Sequence, residues 1–188
     1  TTDDNQIADE ARKMGVDVPW MRPRELASDT AKSVDVIIHA VEEFRNANGY
    51  LPKLGVLLEP TAPLRNAKLI DKAIQIFSTY ENAHSLVSVN KLRHNFHPEE
   101  LLRSKDGLLY PYLSERNMDN RKTPNEQEEL YVQNGLVYIF SIEMLLNKRS
   151  LYGDTVIKYE TDADSYLDID TYEDLKLAQL IIKGNEHN

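Results

Sequence analysis

Cysteine is absent from the 188 residues. Disulfides, thiolate metal sites, iron–sulfur clusters and cysteine nucleophiles are excluded with it, and the absence suits a reducing compartment. Basic charge is scarce: Lys and Arg total 22 against 31 Asp and Glu, a net charge of −9. A chain of that balance, with no basic patch, makes a poor nucleic-acid binder. Apolar runs are short, as from Gly55 to Leu58, so no segment is expected to span a membrane. Glycine numbers only 7 and none forms a Gly-x-Gly loop, so a phosphate cradle of that kind must lie outside these residues. The opening Thr1-Thr2-Asp3-Asp4 carries neither a methionine nor an apolar signal region, which reads as a processed chain or a fragment.

What is present suits one α/β domain, residues 1–188. Ile7, Ala8, Ala11 and Met14 repeat at helical spacing, with Thr2 or Asp3 as the cap and Gly15 as the stop. Val16 to Val18 reads as a short strand and Trp20 to Ala27 as a loop. Val34, Ile37, Ile38, Val41 and Phe44 form a second helical stripe, capped by Ser28 or Asp29 and ended near Gly49. Leu54 to Leu58 is continuously apolar, as in a strand buried on both faces. Asn66 is placed to cap the helix of Leu69, Ile70, Ala73, Ile74 and Phe77, and Leu86 to Val89 reads as a further buried strand. Strand, loop, helix, strand in this rhythm predicts βαβ units and a mainly parallel sheet.

Residues 90–130 break the rhythm. They are polar, hold three prolines and lack a long helical stripe, which predicts an insertion projecting from the sheet. Regularity returns with a strand over Leu136 to Phe140, a short helix over Glu143 to Leu146 and a strand over Val156 to Tyr159. Thr171 starts the last helix, with Asp174 three residues on as an imperfect capping box; Leu175, Ala178, Ile181 and Ile182 are assigned to its core face.

Four stretches carry candidate chemistry. In Tyr166-Leu167-Asp168-Ile169-Asp170-Thr171 alternation sends both carboxylates to one side. There they either share a Mg²⁺, which leaves part of its shell for phosphate, or Asp170 caps the helix and Asp168 is solvated. In Glu59-Pro60-Thr61-Ala62-Pro63-Leu64-Arg65, delivered by a buried strand, Glu59 can bind a substrate hydroxyl or amide; Arg65 either holds an anion or forms a surface ion pair. Arg22-Pro23-Arg24, ahead of the hydroxyl-rich run Ser28 to Ser33, makes either a phosphate or ribose site or a plain capped helix. Asn134-Gly135 is a hairpin turn by default, or a place where a ligand approaches the backbone. His94 and His97 lack a third ligand and do not make a zinc site.

Taken in order, these segments resemble the acylneuraminate cytidylyltransferase family, which makes CMP-sialic acid and related CMP-nonulosonates. The matching stretches are Thr2-Asp3-Asp4 before a helix, Arg22-Pro23 with Leu26-Ala27-Ser28-Asp29-Thr30-Ala31, Leu57 to Arg65, Asn134-Gly135-Leu136-Val137-Tyr138-Ile139, and Leu167 to Leu175. The resemblance implies a Rossmann-like nucleotidyltransferase fold with a small dimerisation arm at about 90–130, a cytoplasmic homodimer. It implies attack by a nonulosonic acid on the α-phosphate of CTP, with Mg²⁺ on Asp168 and Asp170 and pyrophosphate leaving. By the same resemblance Arg22 and Ser33 meet the nucleotide, Glu59, Asn134 and Tyr138 serve the sugar, and Arg121 matches a catalytic arginine of the arm.

Three departures accompany the match. The family's opening strand and its Gly- and Lys/Arg-bearing loop, roughly 30 residues or more, have no counterpart here, so the domain is expected to be N-terminally incomplete. Glu59 replaces the usual Gln, and Val132-Gln133 stand where an arginine usually precedes the Asn-Gly pair. The last two point to an altered or less acidic sugar. The alternatives are a nucleotidyltransferase for another sugar or base, and a non-catalytic sugar-nucleotide-binding remnant.

Overall fold

The computed structural model describes residues 1–113, 118–162 and 167–185. Their elements are α1 (Asn5–Lys13), α2 (Ser33–Asn48), β1 (Leu54–Leu57), α3 (Ala67–Ser78), β2 (Ser85–Lys91), β3 (Leu102–Lys105), β4 (Leu108–Pro111), β5 (Tyr131–Ser141), α4 (Ile142–Lys148), β6 (Val156–Glu160) and α5 (Tyr172–Asn185). The main sheet has the order β1-β5-β2-β6, and β3 and β4 form a separate two-stranded sheet.

The expectation of a mainly parallel sheet is corrected. β5 runs antiparallel to β1, with Leu54 opposite Ser141 and Leu57 opposite Tyr138. It also runs against β2: Ser141 N–H bonds to His84 C=O, and Leu92 N–H to Leu130 C=O, so one chain advances as the other retreats. β2 and β6 are parallel, since Thr155 C=O accepts from His84 and Ser85 while Thr161 N–H reaches Val89 C=O. A buried antiparallel strand carries the same unbroken apolar run as a parallel one, which is why composition misassigned β5.

Local signals account for most helix ends. Asp4, not Thr2 or Asp3, caps α1, its carboxylate accepting from Gln6 and Ile7 N–H at 2.7 and 3.1 Å. α2 begins at Ser33, several residues after the expected caps, and Lys32 supplies no side-chain cap. Asn66 caps α3 through Leu69 N–H at 2.9 Å, as expected. Val16 to Val18 pairs with no strand; Val16 N–H closes on Ala11 C=O and Arg12 holds Val18 C=O. On α5, Ala178 is buried, but Leu175 and Ile182 are 37% and 41% exposed, so the assigned core face is narrower than its apolar content.

The chain divides into two compact units. The first comprises residues 1–57, 74–86 and 138–157. Its core joins Ile38 and Val41 of α2 to Phe140, Ile142, Met144 and Leu145. The second comprises residues 58–73, 87–137 and 158–188, and buries Val87, Val89, Leu136 and Val137 together with Ser88, Asn90 and Asn134. Residues 90–130 lie in it and contain the β3–β4 hairpin, turned by Asp106 and Gly107 at φ 52° and 80°. Among the described residues no helix is long and apolar enough to cross a membrane.

Candidate active site

The second unit holds the loop after β1, Asn134-Gly135 and the two aspartates. Among the described residues Arg65 forms no side-chain ion pair. Its guanidinium folds back on its own loop, donating to the carbonyls of Ala62, at 2.7 and 3.0 Å, and Glu59. Burial lowers the Arg65 pKa, opposed by the nearby Glu59 charge. A guanidinium starts so high that it stays protonated. The loop is therefore closed by its own cation, and part of the Glu59 charge is offset at the source.

Asn134-Gly135 is not a hairpin turn. Both residues lie inside β5, with Gly135 at φ 68°. A Cβ on Gly135 would stand 3.7 Å from Glu59 Cβ and Cγ and from Ala62 Cβ, so Glu59 packs over this point of the strand. Asn134 is 2% exposed and donates to Asn90 Oδ1 at 2.7 Å and Thr161 Oγ1 at 2.8 Å.

Leu167 and Ile169 are half-buried while Asp168 and Asp170 are exposed, as alternation requires. Tyr166, at the head of that motif, lies outside the described residues. Ile169 N–H bonds to Thr61 C=O at 2.9 Å, which ties this segment to the Glu59 loop. The cap of α5 is Thr171 with Asp174, each side chain accepting from the other's N–H, at 3.2 and 2.8 Å. Asp170 is thereby released from capping. Among the described residues neither the Asp168 nor the Asp170 carboxylate has a hydrogen-bond or ion-pair partner, although the Asp170 N–H donates to Asp174. Two exposed, unspent carboxylates suit a hard cation that keeps open positions.

Arg22 and Ser33 belong to the first unit. Arg22 is pinned by its N–H to Thr2 C=O and by Nη2 to Thr1 C=O, both at 2.8 Å, while its Nε is buried with no partner among the described residues. An orphaned guanidinium donor fits an anion. Ser33 opens α2 at a terminus without a side-chain cap, which leaves the first amides available to phosphate. Tyr138 sits opposite Leu57 in the β5–β1 register. Arg121, in the 90–130 segment, is committed to Glu100 at 2.6 Å and to Met118 C=O at 3.1 Å. His94 bonds Gln127 and His97 accepts from Glu99 N–H; no group of three metal-binding side chains occurs among the described residues.

Sequence reasoning missed Asn90 and Thr161, which stand 71 residues apart with no pattern joining them. It also missed the β3–β4 turn, although Asp106-Gly107 is a strong hairpin signal.

The mixed α/β fold is similar to that of a solved CMP-sugar-acid synthetase. The solved CMP:2-keto-3-deoxy-manno-octonic acid synthetase complexed with CTP superposes with a TM-score of 0.65 at 11% identity, over 97% of this chain and 79% of that one. In sequence the similarity is to the acylneuraminate cytidylyltransferase family, as the motifs indicated. The N-acylneuraminate cytidylyltransferase of Escherichia coli O18:K1:H7 is 31% identical over 178 residues, 95% of this chain and 40% of that protein. The CMP-N,N'-diacetyllegionaminic acid synthase of Legionella pneumophila is 28% identical over 99% of this chain and 78% of its own length. The chain thus spans two fifths of the first relative and nearly four fifths of the second. No family model matches it.

Proposed function

We propose that the chain transfers CMP from CTP to a nonulosonic acid and releases pyrophosphate. The observation that carries this is the aspartate pair: exposed on one side of an extended segment, freed from capping by Thr171 and Asp174, and bonded through Ile169 to the Glu59 loop. The relatives' names support the same chemistry.

In this reading Asp168 and Asp170 hold a Mg²⁺, which offsets charge on the phosphates when bound. Arg22, with its orphaned Nε, and the open terminus of α2 at Ser33 take the nucleotide phosphates. Such groups act by position and charge, which is most of what phosphoryl-type transfer needs. Glu59 and Tyr138 serve the sugar directly, and Asn134 serves it through the strand it holds. Arg121 acts from the arm once it exchanges Glu100 for an anionic ligand. Use of CTP supports a cytoplasmic location. The arm offers Leu108, Leu109 and Tyr112, each more than half exposed, to a second copy, which gives a homodimer.

One observation favours a sugar other than sialic acid. Glu59 stands over Gly135, and the neighbouring Val132 replaces a cation. A fixed carboxylate repels a substrate carboxylate, even with Arg65 beside it. The test is a screen of four nucleoside triphosphates against a panel of nonulosonic acids, scored by pyrophosphate release. CTP with one acid should give release well above every other pair. Release with another nucleotide, or with none, would replace this reading.

A further inference from the structure

Asn134, Asn90 and Thr161 satisfy one another almost completely. Both Asn134 amide protons are spent, on Asn90 Oδ1 at 2.7 Å and Thr161 Oγ1 at 2.8 Å, and its Oδ1 accepts from Leu136 N–H at 3.3 Å. Asn90, 7% exposed, donates to the carbonyls of Thr161 at 2.9 Å and Asp162 at 3.2 Å. An amide has two protons to give, so Asn134 has none for a ligand unless it abandons a buried partner. Such a network is rigid when complete and costly when broken.

Its attachments lead to the candidate site through Gly135. Gly135, next in the chain to Asn134, is the point of β5 that Glu59 covers. Thr161 and Asp162 follow directly on β6, and the Glu59 loop that covers Gly135 is bonded in turn, through Thr61, to Ile169 between the two aspartates. We propose that Asn90, Thr161 and Asn134 act as one positioning unit, which sets the Glu59 loop and the aspartate segment in register without touching the sugar. This rests on the transfer reaction proposed above.

Thr161→Val keeps the side-chain volume and removes the hydroxyl. In the wild-type background it should raise the sugar KM and the half-saturating Mg²⁺ concentration together, by about fivefold or more, and lower the melting temperature, because the buried Asn134 amide loses an acceptor. Thr161→Ser should restore both. Asn90→Ala and Asn134→Ala should resemble Thr161→Val, and their double variant should be no worse than the poorer single one. A raised sugar KM in Asn134→Ala alone, with Asn90→Ala and Thr161→Val unaffected, overturns the proposal by making Asn134 a direct ligand. Unchanged KM and Mg²⁺ dependence in all three overturns it by making the network inert core. Should the wild type prove inactive with every acid, the functional reading falls, and the positioning unit is judged by nuclear magnetic resonance. Slow-exchanging Asn134 side-chain protons, with Thr161→Val shifting the Gly135 and Asp168 amides, support it; fast exchange or unmoved amides overturn it.

Discussion

Gly55 and Gly135 are glycines for different reasons, and substitution separates them. Gly55 faces Phe140 across the β1–β5 pair, and an added methyl would lie 2.3 and 2.4 Å from ring carbons. Gly55→Ala should cost about 1–3 kcal/mol of stability in denaturant unfolding, because the ring must move out of a packed core. At Gly135 there is room, but φ is 68°, so Gly135→Ala should cost about 1–2 kcal/mol through backbone strain. Glu59 is the residue expected to set substrate choice. Glu59→Gln removes a charge of the same sign as the substrate's, worth about a few kcal/mol at close range in a medium of intermediate dielectric. We expect kcat/KM for sialic acid to rise in this variant; efficient wild-type turnover with no gain in the variant would show that Glu59 points away from the acid group. The positive φ at Gly135 agrees with the Asn-Gly signature, but its place inside β5 was not legible in the sequence, since that signature marks a turn and only the pairing strands keep the chain extended through it.

At the scale of elements, sequence signals worked where they were local and failed where pairing decided. Gly15 and Gly49 end their helices at φ 81° and 76°, Asn66 caps α3, and Thr171 with Asp174 caps α5. The direction of β5 depends on which strands flank it, and no periodicity within the strand encodes that. The Asp174 carboxylate accepts from the Thr171 hydroxyl, the Thr171 N–H and the Asp170 N–H, and these bonds hold its pKa below the usual aspartate value. A depressed folded-state pKa gives stability that is complete above the unfolded value, near ~3.9, and is lost as the pH falls through the folded value. The melting-temperature gap between wild type and Asp174→Ala should therefore narrow as the pH drops below about 4. A gap that widens in acid would contradict this cap. Thr171→Ala, which removes the other half, should cost about 1 kcal/mol.

At the scale of the whole molecule the claims are assembly and catalysis. The β3–β4 hairpin exposes Leu102, Leu108, Leu109, Tyr110 and Tyr112, an apolar share that a surface hairpin rarely leaves bare. Light scattering should report a dimer, and Leu109→Glu should shift it towards monomer. In the proposed reaction catalysis turns on the aspartate pair, and a Mg²⁺ titration of CTP-dependent pyrophosphate release, in wild type and Asp170→Asn, tests it most directly. With the preferred nonulosonic acid, release should require the metal. Asp170→Asn should release at least about tenfold more slowly at low Mg²⁺, ~1.4 kcal/mol of barrier, with melting unchanged because Thr171 and Asp174 still cap α5. Equal rates in a folded Asp170→Asn, or release in wild type that ignores the metal, would contradict the account.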